Sequence, residues 1–415
     1  ADTVNGGAGT DTLDISYSGV TSLANFFIST SGDNIILTDA SGGSITYSNI
    51  ENLTVGDYDY IDLYTGLVAR EDKEELYWNA TEKAVYLYGD VSLDGNIFET
   101  TDTYFSTRGL QGLTAAMNVS ITGHSGANSA NLNVNRNDDY TGNWTINLGD
   151  GNDTLSSAKL KNGDSIDMGA GDDVVYLMLT GSNGTPSISA ANLTKLDGGT
   201  GNDTLGFEES GSNTSELTLT TAGATNFENI IGTAGAETIT GDSNANILSG
   251  KNGADTINGN GGNDILHADY ARSNSQTSAD ALYGGAGDDT LYGNDGDNTL
   301  DGGTGADTIT SYGGSDTIIL RSGDGGATQS DGDTVTDFTD GTDSFGLDSL
   351  SFDDLTIEQI GSDTVIKEGS NYLATLTGIS VSDITTLDFQ SADTSNQTIN
   401  GSSSNNTLIG GSGND

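Results

Sequence analysis

From Gly232 the chain falls into a nine-residue frame that holds without a slip: GTAGAETIT, GDSNANILS, GKNGADTIN, GNGGNDILH. The frame breaks over residues 268–283, ADYARSNSQTSADALY. It resumes at Gly284 as GGAGDDTLY, GNDGDNTLD, GGTGADTIT and SYGGSDTII. The eighth slot stays aliphatic throughout: Ile239, Leu248, Ile257 and Leu266, then Leu291, Leu300, Ile309 and Ile318. A unit this short cannot bury its own apolar side chain, so it must stack on copies of itself. The last residues of each unit predict a short strand with slot eight pointing inward. The first six predict a turn. Two units then make one coil, and successive coils pair as parallel strands around a thin core.

Single turns of the same kind are scattered elsewhere: GGAGTDTLD at 6–14, LGDGNDTLS at 148–156, MGAGDDVVY at 168–176 and DGGTGNDTLGF at 197–207. A last block starts near Gly401 as GSSSNNTLI. Between them lie β-branched runs separated by Gly, Ser, Asp and Asn, which predict strands and turns. The best helical candidate is 65–80, TGLVAREDKEELYWNA. The pattern therefore predicts an all-β chain, a parallel β-roll with flanking β-rich sandwich or solenoid-like domains and a β cap. The divisions it suggests are an upstream repeat end at 1–16 and a β-rich domain at 17–147. A β-rich segment with isolated turns follows at 148–222, then the roll at 223–319 with an insertion at 268–283. A cap at 320–395 and a further roll from 396–415 complete the chain. The start and stop within motifs suggest a longer polypeptide.

The turns carry the chemistry. Glycines permit a left-handed or unhindered backbone, so that carbonyls can converge. Aspartate in slot six adds a hard anionic oxygen. Oxygen-only ligands select Ca2+ over transition metals. The candidate slot-six ligands of the roll are Asp255, Asp264, Asp289, Asp307 and Asp316, with Glu237 as a longer substitute. The accompanying glycines are Gly232, Gly235, Gly250, Gly253, Gly259, Gly262, Gly284, Gly287, Gly293, Gly296, Gly302, Gly305 and Gly314. Asn246 and Asn298 keep an oxygen but lose the charge. Asn244 replaces glycine in slot four, and Ser311 replaces the first glycine of its unit. In the isolated turns Asp11, Asp153, Asp173 and Asp203 hold slot six; for these a metal-free turn is an equal alternative. Stacking places Asp255 over the turn Gly232–Glu237, and Asp264 over Gly241–Asn246.

Composition agrees. There are 61 acidic against 12 basic residues, a formal net charge of −49, which attracts cations and repels nucleic acid and anionic membranes. No cysteine is present, so neither disulfides nor thiolate metal sites exist. No apolar run is long enough to span a bilayer.

Other constellations are weaker. DVSLDGNIFETTD, 90–102, has Asp90, Ser92 and Asp94 at the first, third and fifth positions of an EF-hand-type loop, but Thr101 where the closing acid belongs. The alternative is a hairpin turning at Asp94-Gly95. GHSGA, 123–127, is similar to a lipase elbow but ends in Ala127. The two histidines, His124 and His267, lack an H-E-x-x-H frame, and His267 in slot nine is expected to face solvent. Trp78, Trp144 and the tyrosines fit cores or interfaces better than a sugar platform. No catalytic constellation emerges, so a non-enzyme is expected.

These nonapeptides resemble those of the repeats-in-toxin (RTX) family of secreted bacterial proteins, and 331–389 is similar to the cap that follows the roll in serralysin-type proteases. The resemblance implies several bound Ca2+ ions, folding outside the cell and type I secretion. It leaves two readings open. One is a calcium-binding structural protein, S-layer-like or fibrous, that self-assembles through Ca2+-dependent contacts at the bacterial surface, with cell-surface polysaccharide as a candidate anchor. The other is the secretion and folding module of a larger enzyme or adhesin.

Overall fold

The structure is a computed structural model that describes residues 1–8, 11–16, 26–31, 34–39, 41–50, 52–55, 58–61, 76–79, 84–87, 91–94, 103–106, 119–123, 126–131, 143–158, 163–178, 195–208, 214–269 and 277–391. Among these residues the structure is strands and short 3-10 turns, with no α-helix. The chain divides into two compact units. One comprises Ala1–Gly181, Thr185–Glu208 and Thr220–Phe227. The other comprises Ser182–Gly184, Glu209–Leu219 and Glu228–Asp415.

The second unit is the roll. One sheet takes Thr214–Thr218, Ala236–Thr240, Thr256–Gly261, Ala281–Ala286, Thr299–Thr304, Thr317–Arg321, Ser344–Asp348 and Phe389–Ser391 in that order, all parallel. The other takes Asn229–Ile231, Ile247–Ser249, Ile265–His267, Thr290–Asn294, Thr308–Tyr312 and Asp333–Val335, also parallel. The chain alternates between the two, as a two-unit coil requires. Registers align the slot-eight residues: Leu217, Ile239, Ile257, Leu282, Leu300, Ile318 and Phe345 in one sheet, and Ile230, Leu248, Leu266, Leu291, Ile309 and Val335 in the other. All are fully buried. Each such side chain contributes about 1.5–3 kcal/mol by leaving water, so the column of slot eight is what holds the two sheets together.

Two boundaries differ from the sequence frame. The interruption expected over 268–283 ends earlier, because Ala281–Ala286 already pairs with Thr256–Gly261 and Leu282 takes the inward slot beside Ile257. SADALY is thus a unit without glycines, which a search framed on glycine passes over. The roll also runs beyond 320: Asp333–Val335 and Ser344–Asp348 add two further parallel strands. Only then does an antiparallel hairpin set appear, Leu355–Ile360, Asp363–Glu368 and Asn371–Leu376, the last pairing parallel to Asp333–Val335. Phe338, Phe345, Phe352 and Phe389 stack together at this end.

The first unit is also coiled, with longer coils. Val91–Asp94, Val119–Thr122, Trp144–Asn147, Ser165–Asp167 and Lys195–Asp197 form one parallel sheet. Thr103–Ser106, Asn128–Asn131, Thr154–Ala158, Val174–Met178 and Thr204–Glu208 form another. Ile146, Ile166 and Leu196 from the first and Leu155, Val175 and Leu205 from the second are buried. Nearer the N-terminus an antiparallel meander, Phe26–Ser31, Asn34–Asp39 and Ser44–Ser48, carries Asp2–Asn5 in parallel.

The helix expected at 65–80 is not formed where the chain is described: Leu76–Asn79 is a strand antiparallel to Ala84–Leu87. Its β-branched and aromatic neighbours favour the sheet over a helix with only partial periodicity. The EF-hand-type reading at 90–102 is corrected in part. Val91–Asp94 is a regular strand parallel to Val119–Thr122, not a loop with converging carbonyls. Asp90, Gly95, Thr101 and the side chain of Asp94 lie outside the described residues, as do His124 and Ser125.

Candidate metal centres at the coil edges

The edge of the roll is braced through the slot-six aspartates. The backbone N–H of Glu237 donates to Asp255 Oδ1 at 2.7 Å, and that of Asn246 to Asp264 Oδ1 at 2.7 Å, across 18 residues in each case. The same bond recurs from Asp264 to Asp289 (2.7 Å), Asp289 to Asp307 (2.7 Å) and Asn298 to Asp316 (2.8 Å). In return, the carbonyls of Asp264, Asp289 and Asn298 accept the N–H of Thr290, Thr308 and Thr317. Each turn is thereby tied to the next by one main-chain and one carboxylate bond. The pairing of Asp255 with the turn ending in Glu237, and of Asp264 with that ending in Asn246, is as the spacing predicts.

One oxygen of each carboxylate is left over. Oδ2 of Asp255, Asp264, Asp289, Asp307 and Asp316 is buried without a hydrogen-bond partner. A buried anionic oxygen without a partner is costly. It faces the turn. A Cβ built on Gly250, Gly259, Gly284 or Gly302 would lie 2.2–2.3 Å from Oδ2 of Asp255, Asp264, Asp289 or Asp307. At Gly259 and Gly284 the same Cβ would lie 2.4 Å from a carbonyl oxygen of the stacked turn, Gly284 O or Gly302 O. The first-slot glycine thus keeps open a space shared by carboxylate and carbonyl oxygens. Gly232 and Gly293 occupy the same position over Gly250 O and Ser311 O.

Slot four is tighter still. Gly253 has φ +120°, and a Cβ there would lie 1.5 Å from Gly235 O. Gly262, Gly287, Gly296, Gly305 and Gly314 meet the turn of the preceding coil in the same way.

Electrostatics points the same way. Burial pushes the Asp255 carboxyl up to about 8, and those of Asp289 and Asp316 up to about 7. Asp264 is raised for the same reason. Burial raises Asp307 to about 6, with the charges of Asp288 and Asp301 adding to it and hydrogen bonds from the Asp289 N–H and Asp333 opposing it. Among the described residues no group of three His, Cys, Asp or Glu side chains converges as a metal cage. A cation held at these edges must therefore draw on main-chain carbonyls as well as carboxylates. That donor set, carbonyl plus single carboxylates at a glycine turn, fits Ca2+.

The imperfect units satisfy themselves locally. Glu237 accepts the Thr233 hydroxyl at 2.5 Å and the Thr233 N–H at 3.1 Å. Asn246 Oδ1 accepts the Asp242 N–H at 2.8 Å. Asn298 Nδ2 donates to Gly296 O at 2.7 Å, an oxygen that would otherwise face the site. Asn244 bonds Asp242 through both its N–H and its amide. Ser311 is buried, and its N–H donates to Asp337. His267 does not stand free in solvent: it stacks on Tyr292 at 4.9 Å, and burial lowers its pKa.

The isolated turns of the first unit are not isolated. Asn128 N–H donates to Asp153 Oδ1 (2.6 Å), Asp153 to Asp173 (2.7 Å) and Asp173 to Asp203 (2.8 Å), across 25, 20 and 30 residues. Oδ2 of Asp153 and of Asp173 is buried without a hydrogen-bond partner, and burial pushes both carboxyls up to about 7. Asp203 is buried below Gly198, and the Asp11 carboxylate lies below Gly6.

Four aspartates of the same kind escape the glycine frame. Asp280, Asp333 and Asp343 accept the N–H of Asp255, Asp307 and Asp316, and Asp164 accepts that of Trp144. Each stands two residues before an inward apolar side chain: Leu282, Val335, Phe345 and Ile166. An Asp at that spacing was the signal available for all four.

The family model of the RTX calcium-binding nonapeptide repeat (4 copies) matches residues 1–14, 230–269, 276–309, 292–326 and 391–415. The chain carries RTX repeats. RTX repeats bind Ca2+ at multiple sites, and the proteins that carry them are typically secreted. The matched stretches of the RTX roll contain Asp255, Asp264, Asp280, Asp289, Asp307 and Asp316, and the first contains Asp11. They do not contain Asp153, Asp173 or Asp203. No curated protein matches the chain. Among the described residues no helix is long and apolar enough to cross a membrane.

Proposed function

We propose that this is a secreted structural protein whose coils order on external Ca2+ and which assembles into a layer or fibre at the bacterial surface. The observation that carries this reading is the row of buried carboxylate oxygens without hydrogen-bond partners along the coil edges. Bound there, Ca2+ supplies the missing positive charge and lets stacked turns share it. Where Ca2+ is scarce, inside the cell, the carboxylates oppose closure of the turns and the chain remains open for export. Acids on the strands are balanced by the chain's own cations instead: Arg321 reaches Asp301 at 2.6 Å and Asp348 at 2.8 Å, and Lys195 reaches Asp167 and Asp197.

Charge makes assembly depend on cations. Copies carrying −49 repel one another unless divalent cations lie between them. Homo-oligomeric contacts through Ca2+ are therefore part of the proposal, with polysaccharide as the anchor and no catalytic role. Electron microscopy and light scattering with Ca2+ and with chelator test it. Ordered sheets or fibres are expected only with Ca2+; monodisperse monomers under both conditions would refute assembly.

A second reading has its own support. The antiparallel set Leu355–Leu376 pairs with the end of the roll, an arrangement suited to a folding module that follows another domain. That reading expects a Ca2+-folded monomer without assembly.

A further inference from the structure

The tyrosines of the roll differ in the company they keep. Tyr292 lies between His267 and Tyr312 in a stack, with ring centres 4.9 and 6.5 Å away. In the hairpin set, Tyr372 lies under the Lys367 ammonium at 4.6 Å. Tyr283 has no such cover. It is 37 % exposed, and among the described residues its ring meets no other ring and its hydroxyl makes no hydrogen bond. Leu282 points into the core, so the alternation of the strand turns Tyr283 outward. A single exposed ring is ordinary by itself; its surroundings are not.

The parallel register sets those surroundings. On the outward face Thr256, Ala281 and Thr299 form one row, and Asn258, Tyr283 and Asp301 form the next. Neighbours within a row are about 4.8 Å apart. Ala281 stands beside the ring, and its methyl leaves that flank open. Among the described residues the Thr256 and Thr299 hydroxyls and the Asn258 amide make no hydrogen bond. Asp301 is already neutralised, since its two oxygens accept from Arg321 Nη1 at 3.1 Å and Nη2 at 2.6 Å. The strip therefore offers an open ring, two free hydroxyls and a free amide, without net charge.

Charge narrows the occupant. At −49 the chain repels anions, and a second copy carries the same charge. An uncharged polyhydroxyl chain meets no such barrier. A sugar ring has an apolar C–H face, which packs on an aromatic ring, and hydroxyls at its rim, which need donors and acceptors. An asparagine amide supplies both. We infer that Tyr283, Asn258, Thr256 and Thr299 form a binding strip for a neutral polysaccharide. Tyr283 covers the C–H face of one sugar, while the amide and the hydroxyls hold its rim. The inference rests on the surface reading above for the source of the polysaccharide, and on the strip alone for its chemistry.

Affinity electrophoresis of the Ca2+-loaded full chain tests it. The gels contain hydroxyethyl cellulose, dextran or galactomannan, with carboxymethyl cellulose as the anionic control. Retardation is expected in at least one neutral polymer and not in the anionic one. Tyr283→Ala is expected to weaken that binding about tenfold, by loss of the apolar contact. Tyr283→Phe keeps the ring and is expected to keep most of it. No retardation in any neutral polymer would overturn the strip, as would wild-type migration of Tyr283→Ala or equal retardation by carboxymethyl cellulose. Should Tyr283→Ala not fold, Asn258→Ala takes its place, with severalfold weaker binding expected and unchanged binding overturning the strip. Light scattering without polysaccharide separates the other occupant: smaller particles in Tyr283→Ala than in wild type would assign the face to a second copy. Monomers that are still retarded would refute the surface layer and leave the strip standing; ordered assemblies that are not retarded would do the reverse.

Discussion

The roll and the coils at 143–208 are built on one edge and two different coil lengths. In both, a slot-six carboxylate accepts the N–H of the turn before it, and a slot-four glycine lies against a carbonyl of that turn. In both, slot five adds a second ladder: Asp288 to Asn263 and Ala306 to Asp288 in the roll, Asp172 to Asn152 and Asn202 to Asp172 in the coils. The difference is slot one. The roll has glycine there before Asp255, Asp264, Asp289 and Asp307, held under the carboxylate, and Ser311 before Asp316. The coils have Leu148 and Met168, both fully buried, before Asp153 and Asp173. An apolar side chain in slot one is drawn into the core before Asp153 and Asp173, whereas Gly198 keeps that slot before Asp203; the coils are 20 and 30 residues long. The comparison teaches that slots four and six make the edge whatever the length of the coil.

Removing Ca2+ is the largest perturbation and splits the two regions most clearly. With excess chelator the roll is expected to lose its β signal in circular dichroism. Hydrogen exchange then asks whether 143–208 follows. Amides such as Val174, bonded to Asp153 O, are expected to lose protection along with Thr308, bonded to Asp289 O. Protection kept at Val174 and lost at Thr308 would show that the wider coils close without metal.

Glycine substitution comes next. Gly253→Ala puts a Cβ into Gly235 O at positive φ, and Gly171→Ala does the same against Gly151 O. Strain plus overpacking costs on the order of 3 kcal/mol at each. Gly341→Ala, at φ +74° with nothing within 4 Å, isolates the backbone share, about 1–2 kcal/mol. Equal losses at all three sites, measured by Ca2+-saturated denaturation, would remove the close approach from the argument.

Slot eight made the roll legible in the sequence, because a constant period exposes a constant core. The same inward column exists at Leu155, Val175 and Leu205, but its spacing varies, so no period marks it. Leu282, Val335 and Phe345 were hidden for a second reason: their units lack glycine in slot one, and that glycine was the visible letter of the motif. The site followed the same rule. Asp255 and Asp264 were found from glycine turns, whereas Asp164, Asp280, Asp333 and Asp343 are marked only by their place two residues before an inward apolar side chain. The helix expected at 65–80 failed where a strand partner, Ala84–Leu87, outweighed local preference.

Acidity affects metal-free and metal-bound chain in opposite directions. The buried carboxyls of Asp153, Asp173, Asp289 and Asp316, near 7 when folded, bind protons more tightly than in the unfolded chain, where the ordinary value is 3.8. Their contribution is favourable below about pH 4 and is lost as pH rises toward 7. In chelator, lowering pH from 7.5 to 5 is therefore expected to raise β content. With Ca2+ the same change is expected to raise the Ca2+ concentration needed for folding, because protons compete for the ligands. A metal-free chain less structured at pH 5 than at 7.5 would contradict the first, and a Ca2+ midpoint unchanged or lowered at pH 5 the second.

Charge removal at single sites is smaller. Asp289→Asn and Asp173→Asn each keep the Oδ1 bond to the turn before and lose the anion. Each is expected to raise the Ca2+ midpoint of folding severalfold, by the cost of one ligand charge. A response at Asp289 without one at Asp173 would confine metal to the nine-residue coils.

The smallest effect is expected where the roll has already given up a charge. Asn298 lies between Asp280 and Asp316: its Oδ1 accepts the Asp280 N–H at 3.1 Å, and its own N–H donates to Asp316. Its amide donates to Gly296 O and contacts Asn294 O, Asn294 Oδ1 and Asp316 Oδ1, so four acceptors surround one NH2. Asn298→Asp turns that donor into a fifth acceptor. Without Ca2+ the change destabilises the turn by about 1–3 kcal/mol, the cost of unpaired buried acceptors. With Ca2+ the added carboxylate completes the donor set seen at Asp289 and Asp307, and the loss is offset. The measurement is the difference in melting temperature between wild type and variant with and without Ca2+. A variant equally destabilised in both would mean that Asn298 is a structural amide and that its edge position holds no metal.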